Sequence, residues 1–252
     1  MRPVILNSCS TIGGGAAELF DAARTAKFEG RDSEATQRLP GLAAGLRAPP
    51  ASDRKAALAF WIQVYNALVI HGALHFGVQK SVKEVPGFFR RAAYRIEPLD
   101  GGAGGLLFTP DDIEHGILRA NRGHPRRLLL PQFAPWDRRR RLVVRPMDRR
   151  VHFALNCGAA SCPPIRHYEA GKLDEQLDLA AQAFVNGGGV VVAEDGALLL
   201  SPLLRWFWRD FGLTGQARVQ AVLPHVDPER RQAILQAARK GIRYIAYDWH
   251  FA

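Results

Sequence analysis

The chain has 252 residues, of which 47% are hydrophobic and 23% are charged, a composition typical of globular proteins. It is long enough to bury a sizeable core, which excludes a disordered chain, a collagen and a disulfide-dense miniprotein. Lys and Arg number 34 and Asp and Glu 24, so the formal net charge is +10. A positive charge favours an anionic partner. A general arginine bias would, however, produce the same count of basic residues. We therefore regard binding to nucleic acid as the less favoured interpretation.

Residues 1–50 are predicted to be an N-terminal extension with one short helix, Ala16–Phe28. The first apolar run, Val4–Leu6, is shorter than the apolar core of about 7–15 residues in a secretory signal. The segment from Leu6 to Cys9 resembles a lipoprotein cleavage site only faintly. We therefore expect a cytoplasmic protein as the sequence stands, and an exported protein or a lipoprotein if the true start lies upstream.

A long helix is predicted over Lys55–Phe76, with Ser52 or Asp53 as its cap. Apolar residues cover nearly its whole circumference, which places the helix in the middle of a core. Its polar residues should each hydrogen-bond there, and they are Gln63, Asn66, His71 and His75. The longest apolar run, Ala56–Ile70, contains two of these residues and is shorter than the ~20 residues of a membrane span. We therefore predict no membrane span.

Two short strands, Tyr94–Leu99 and Leu106–Phe108, are predicted on either side of a glycine-rich turn. Thr109 then caps a helix that runs to Arg119. A basic connection of residues 120–150 follows, and its arginine run is most simply a solvated loop, with a docking patch as the minority interpretation.

The second half of the chain mixes helices with strands rather than alternating them. A strand is predicted over Val151–Cys157. The later predicted elements are the helix Leu173–Val185, the hairpin of Val190–Ala193 and Ala197–Ser201, the helices Leu203–Phe211, Ala217–Leu223 and Pro228–Lys240, and the closing segment Tyr244–Trp249. This order predicts an α+β fold, a helix-rich single domain over residues 51–252 with a buried central helix and short antiparallel strands.

Cysteines are few, and Cys9, Cys157 and Cys162 cannot form a disulfide framework. Cys157 and Cys162 lie five positions apart around small residues, so they define one local site. In a regular strand His152 shares a face with Asn156 and not with Cys157. A base for either thiol must then come from elsewhere in the chain.

Glu114 and His115 are the leading source of that base. A thiol nucleophile needs a neighbouring base or positive field to form thiolate near neutral pH. Three other interpretations use the same residues: a transition-metal site of both cysteines with His115 or His152, a redox-sensitive disulfide, and a packed turn with two inert cysteines. Because the chain has no second cysteine pair, we assign no metal ligands and expect no cofactor.

Four blocks of the sequence resemble the family called domain of unknown function 547. They are Ala59–Ala67, Ile113–Arg119, Val151–Arg166 and Tyr247–Trp249, in the family's order. The third block is long and specific. Gln63 departs from the family pattern, which usually has Asn there, and the ending His250-Phe251-Ala252 departs from the usual one.

The resemblance implies little about activity. Plant relatives are associated with protein–protein interaction and often lack parts of the cysteine and histidine set, and many bacterial relatives carry an export signal. In the bacterial pattern Glu114, His115, Cys157 and Cys162 are all present, as they are in this chain. Their joint presence resembles a retained site.

We therefore expect a thiol-dependent hydrolase or acyl transferase that acts on a small-molecule or peptide substrate. Cys157 is the preferred nucleophile and Cys162 the second choice, with His115 as base and Glu114 or Asn66 as its orienter. Substrate contacts are expected from Asn66, His152, Asn156 and Arg166. The alternatives are a non-catalytic module that binds a protein partner, and a Cys/His metal or redox site.

Overall fold

The structure, a computed structural model, describes residues 2–7, 15–101, 104–127 and 130–251. Cys9 and the centre of the predicted glycine-rich turn lie outside the described residues. The chain divides into two compact units. Unit 1 comprises Met1–Asp148, Leu155–Leu173 and Trp249–Ala252, and unit 2 comprises Arg149–Ala154 and Asp174–Asp248.

The central element of unit 1 is the helix α3, Arg54–Phe76. The carboxylate of Asp53 accepts a hydrogen bond from the Ala56 N–H at 3.2 Å, as the sequence predicts, and Gly77 ends the helix with a φ of +69°. By length and composition α3 could cross a membrane, but 89% of its most apolar stretch is buried inside the protein. It is therefore a core helix, which confirms the prediction from its apolar circumference.

Most polar side chains of α3 have partners in the core. Gln63 donates to the Tyr168 carbonyl at 2.9 Å, and His71 Nδ1 lies 2.9 Å from the Tyr94 hydroxyl. Burial lowers the pKa of His71 to about 3, so its ring is neutral. His75 differs from the prediction because it lies in the last turn, where it is exposed to solvent.

The remaining elements of unit 1 surround α3. Helices α1 (Ala16–Glu29) and α2 (Glu34–Ala44) pack against each other and against α3. The strand β3 (Ala92–Pro98) follows the short helix α4 (Phe88–Arg91) and is the hub of a small sheet. It pairs in parallel with β1 (Val4–Ile5) and β2 (Arg47–Ala48), and antiparallel with β4 (Leu106–Phe108). The strands that the sequence predicts are thus confirmed, while the parallel pairs come from the N-terminal extension.

Unit 2 combines helices with a three-stranded sheet. Strands β5 (Val190–Val192) and β6 (Leu198–Leu200) form the predicted antiparallel hairpin, and β7 (Ile242–Tyr244) pairs in parallel with β6. Its helices are α5 (Leu173–Phe184), α6 (Pro202–Trp206), α7 (Trp208–Phe211), α8 (Gly215–Val222) and α9 (Pro228–Lys240). Helix α9 packs on this sheet. The predicted α+β class is therefore confirmed.

The predicted strand over Val151–Cys157 is wrong. Arg149–Phe153 forms a buried 3₁₀ helix, and the backbone that follows it is irregular. A short apolar run bounded by polar residues does not distinguish a strand from a buried helical turn. The parity that paired His152 with Asn156 therefore does not apply.

Candidate functional site

The cysteines lie in a turn that runs from Asn156 to Pro163, the cysteine turn. The Asn156 side chain closes it: its Oδ1 accepts from the Gly158 N–H at 2.7 Å, and its Nδ2 donates to the Pro163 carbonyl at 2.9 Å. The Asn156 N–H donates to the Asn66 Oδ1 on α3 at 2.9 Å. Asn66 and Asn156, which were expected to contact substrate, therefore anchor the turn to the central helix.

The two sulfurs of the turn touch. Cys157 Sγ and Cys162 Sγ are 2.7 Å apart, both as free cysteines with partly exposed side chains. The Cys157 N–H donates to Cys162 Sγ at 3.1 Å. Cys162 can thus accept two hydrogen bonds as a thiolate, one from this N–H and one from the Cys157 thiol. An anion at Cys162 would therefore be stabilised by a backbone N–H and by a thiol.

The C-terminal residues Trp249–Phe251 cover the cysteine turn. The Ala160 N–H donates to the His250 carbonyl at 2.8 Å, and the Phe251 N–H donates to the Lys80 carbonyl at 2.7 Å. Ala159 and Phe251 form an antiparallel bridge. Three segments distant in sequence are thus joined at the turn by backbone hydrogen bonds.

Gly158 permits this close packing. Its φ is +86°, in the left-handed region, and a Cβ there would lie 2.9 Å from the Phe251 ring. Both the conformation and the space therefore require glycine at the residue after Cys157.

Tyr65 connects α3 to Glu114 by a hydrogen bond. The buried Tyr65 hydroxyl donates to Glu114 Oε2 at 3.1 Å. Burial raises the pKa of Tyr65 well above its usual value, and the negative charges of Glu114, Cys157 and Cys162 act in the same direction. Tyr65 thus remains a protonated hydrogen-bond donor to the Glu114 carboxylate.

Glu114 and His115 lie on a π-helix, Asp112–Leu118, an uncommon conformation that often occurs at functional sites. Thr109 caps its start as the sequence predicts, since its hydroxyl oxygen accepts from the Asp112 N–H at 3.3 Å. The Arg119 N–H bonds the Glu114 carbonyl at 2.9 Å, five residues back. This wider turn sets the directions of the Glu114 and His115 side chains.

Arg119 determines the state of His115. Its Nη1 lies 3.1 Å from His115 Nδ1, and both side chains are buried. A guanidinium only donates, so Nδ1 accepts and the neutral ring carries its proton on Nε2. That nitrogen is 3.8 Å from Asp111 Oδ1, while Nδ1 is 3.8 Å from Glu114 Oε1. His115 therefore presents an N–H to Asp111.

Asp111 is the carboxyl best placed to exchange a proton near neutral pH. Burial raises its pKa to about 7, and the charges of Glu114 and Asp112 add to that effect, while Arg90 and Arg127 oppose it. A carboxyl with this pKa beside an imidazole N–H can hold or release a proton at physiological pH.

One cluster has the donors of a metal site. Asp111, His115 and His124 each offer a ligand atom within 4.8 Å of one another. Two imidazoles and a carboxylate suit zinc or ferrous iron. Arg119, however, places a permanent positive charge against the His115 ring and keeps the proton on the nitrogen nearest Asp111. The arrangement therefore favours a protonated His115 nitrogen over a bound metal ion.

His152 and Arg166 are the two other residues that were predicted to contact substrate. His152 belongs to unit 2, where its Nε2 is 2.9 Å from Asp210 Oδ2 and its ring contacts Phe207 and Phe211. Its described contacts are those of a buried, paired core histidine. Arg166 is exposed, and its role toward a substrate stays a prediction.

Sequence reasoning missed several residues of the site. Tyr65 stands beside Asn66 in the first block of resemblance, and a buried phenol needs a partner, so a signal was present. Arg119 closes the second block. Lys27, on α1, and Phe251 reach the cysteine turn only through tertiary structure, and no local pattern indicates them.

The family model described as "Protein of unknown function, DUF547" matches residues 50–185, more than half of the chain. The chain belongs to this family. The comparison with curated proteins gave no match, and the comparison with solved structures gave none either.

Proposed function

We propose that this member of the DUF547 family is a thiol-dependent hydrolase or acyl transferase whose nucleophile is Cys162. The observation that supports it is the thiol pair, in which Cys162 Sγ accepts the Cys157 N–H at 3.1 Å and lies 2.7 Å from Cys157 Sγ. A hydrogen bond to a charged group contributes about 1.5–3 kcal/mol. With Cys162 as the nucleophile, the proposal reverses the order expected from sequence, which placed Cys157 first.

The reaction follows from these groups. The Cys162 thiolate attacks an acyl carbonyl, an S–C bond forms, and the bond to the leaving group breaks as that group takes a proton from solvent. Water or a second acceptor then loses a proton to solvent as it attacks the thioester, the S–C bond breaks, and the Cys162 thiolate returns. The Tyr65 hydroxyl stays protonated and donates to Glu114 before reaction; in this proposal it turns that proton to the developing oxyanion.

Two carboxyl groups, Glu114 and Asp111, flank His115 in this proposal. Glu114 accepts the Tyr65 hydroxyl at 3.1 Å and lies 3.8 Å from the His115 ring. His115, with its proton on Nε2, acts as a donor beside Asp111 rather than as the base for the thiol. Glu114 therefore connects the thiol pair to the His115–Asp111 pair.

Alkylation of single-cysteine variants tests the proposal. In a Cys9→Ser background, which removes the third thiol, we compare the rate of iodoacetamide labelling of the parent, Cys157→Ser and Cys162→Ser. Fast labelling should persist in Cys157→Ser and vanish in Cys162→Ser. Tyr65→Phe should keep the labelling and slow the hydrolysis of an activated acyl ester.

Two results would contradict the proposal. Labelling of both cysteines at the rate of glutathione would favour the packed turn of a non-catalytic interaction module. Fast labelling that depends on Cys157 alone would restore the order expected from sequence. Folding of each variant is checked by circular dichroism.

The contact between the sulfurs favours a second candidate, a dithiol redox site. Loss of two protons and two electrons to an oxidant such as a peroxide would join Cys157 and Cys162 in a disulfide. Peroxide treatment of the Cys9→Ser protein should then remove both thiols together, and a reductant should restore both. Retention of both thiols would exclude this role.

A further inference from the structure

Lys27 is a half-buried cation at the rim of the cysteine turn. It lies near the end of α1, and its Nζ is 5.7 Å from the centroid of the Phe251 ring. That ring packs on Gly158, the residue after Cys157. The ammonium is therefore held at the covering residues of the turn.

Within the described residues no carboxylate lies at ion-pair distance from the Lys27 ammonium. Burial lowers the pKa of Lys27, and the negative charge that acts on it in the opposite direction is that of Cys162. A partly buried ammonium favours an anionic neighbour, and this one lies on the Phe251 ring that packs against the residue after Cys157.

Other cations line the same rim. The Lys83 ammonium lies 3.9 Å from the centroid of the Trp249 ring. The backbone carbonyl of the exposed Lys80 accepts a hydrogen bond from the Phe251 N–H. Glu84 is also present, but its carboxylate accepts backbone N–H groups from Gln79, Lys80 and Ser81. The ammonium groups of Lys27 and Lys83 thus both lie on aromatic rings that cover the turn.

We propose that Lys27 forms a subsite for an anionic group of the substrate, a carboxylate or a phosphate bound at the rim of the cysteine turn. The inference rests on the proposed thiol function and adds to it the charge class of the substrate. Lys27 acts as a specificity residue: it stabilises an anion bound beside Cys162 and contributes less to a neutral substrate.

Two alkylating reagents of nearly equal size distinguish these cases. Iodoacetate is an anion and iodoacetamide is neutral, and both transfer a carbon to the thiolate with loss of iodide. The quantity compared is the rate of alkylation by iodoacetate divided by the rate by iodoacetamide. It is measured in the Cys9→Ser protein at one pH and low salt. Lys27→Met should lower the ratio by about three- to ten-fold, the effect of one charge a few ångströms away in partly screened surroundings. Lys27→Arg should preserve it.

The controls separate failure of this inference from failure of the proposed function. Lys83→Met, a change to an exposed cation on the same rim, should move the ratio by less than Lys27→Met does. If Lys27→Met destabilises the fold, high salt applied to the unaltered protein should lower the ratio by screening. Fast alkylation with a ratio insensitive to Lys27 and to salt would overturn the anionic subsite alone. Slow alkylation by both reagents in the unaltered protein would overturn the proposed function.

Discussion

Replacing Gly158 with alanine tests whether Phe251 covers the cysteine turn. The substitution adds a Cβ at a residue with a φ of +86°, and this atom would meet the Phe251 ring at 2.9 Å and Val82 at 3.3 Å. The left-handed backbone costs about 1–2 kcal/mol for alanine. Forcing an extra carbon into a packed site costs about 1–3 kcal/mol more. We therefore expect the free energy of unfolding to fall by about 2–5 kcal/mol.

Two other glycines separate these contributions. Gly104 has a φ of +80° and an open Cβ position, so Gly104→Ala should show the backbone cost alone. Gly171 has an open Cβ position and no positive φ, so Gly171→Ala should change stability by less than about 0.5–1 kcal/mol, in either direction. All three residues lie in unit 1. The further loss in free energy of unfolding in Gly158→Ala, beyond that in Gly104→Ala, measures the cost of crowding the Phe251 ring.

Urea unfolding followed by both tryptophan fluorescence and circular dichroism measures these differences. Coincident transitions are required, because a chain with two compact units need not unfold in one step. If Gly158→Ala is no more destabilising than Gly104→Ala, Phe251 does not pack on the turn. The role given to the C-terminal residues would then be wrong.

Three further substitutions have defined outcomes. Asp111→Asn removes a carboxyl whose pKa is raised from 3.8 to about 7. The unaltered protein should therefore lose stability relative to the variant as pH rises from about 4 to about 7. Urea unfolding should show a loss of up to about 4 kcal/mol. His71→Gln removes a ring whose pKa is lowered from 6.5 to about 3, so the unaltered protein should lose stability relative to this variant as pH falls below about 6; parallel pH profiles would contradict the burial of a neutral ring. Asn156→Ala removes the bonds to Gly158 and Pro163, which should cost about 1–3 kcal/mol and slow the alkylation of the adjacent thiols; unchanged stability would show that the side chain does not close the turn.

The core of the fold could be predicted because its signals are local. The apolar circumference of α3 requires a buried helix, and Asp53 marks its start. The strand before the cysteines could not be predicted in this way. A buried apolar run of five or six residues satisfies a strand and a 3₁₀ turn equally well, and the pairing of His152 with Asp210 depends on a distant segment.

Only part of the candidate site could be predicted. The thiol pair, Glu114 and His115 were found because they are chemically distinctive residues in short blocks. The tautomer of His115 depends on Arg119, whose role requires knowing that both side chains are buried against each other. Lys27 contacts the Phe251 ring from the N-terminal extension, a region in which the sequence carries no distinctive motif.

The bridge between Ala159 and Phe251 has a consequence for synthesis of the protein. The thiols leave the ribosome long before Phe251, and until then nothing from the C-terminal segment can cover their turn. During that interval the nascent chain presents two neighbouring thiols to the oxidants and metals of the cell. A chain released before Phe251 would carry the reactive residues without the packing that orders them, so quality control of truncated products bears directly on the chemistry of this site.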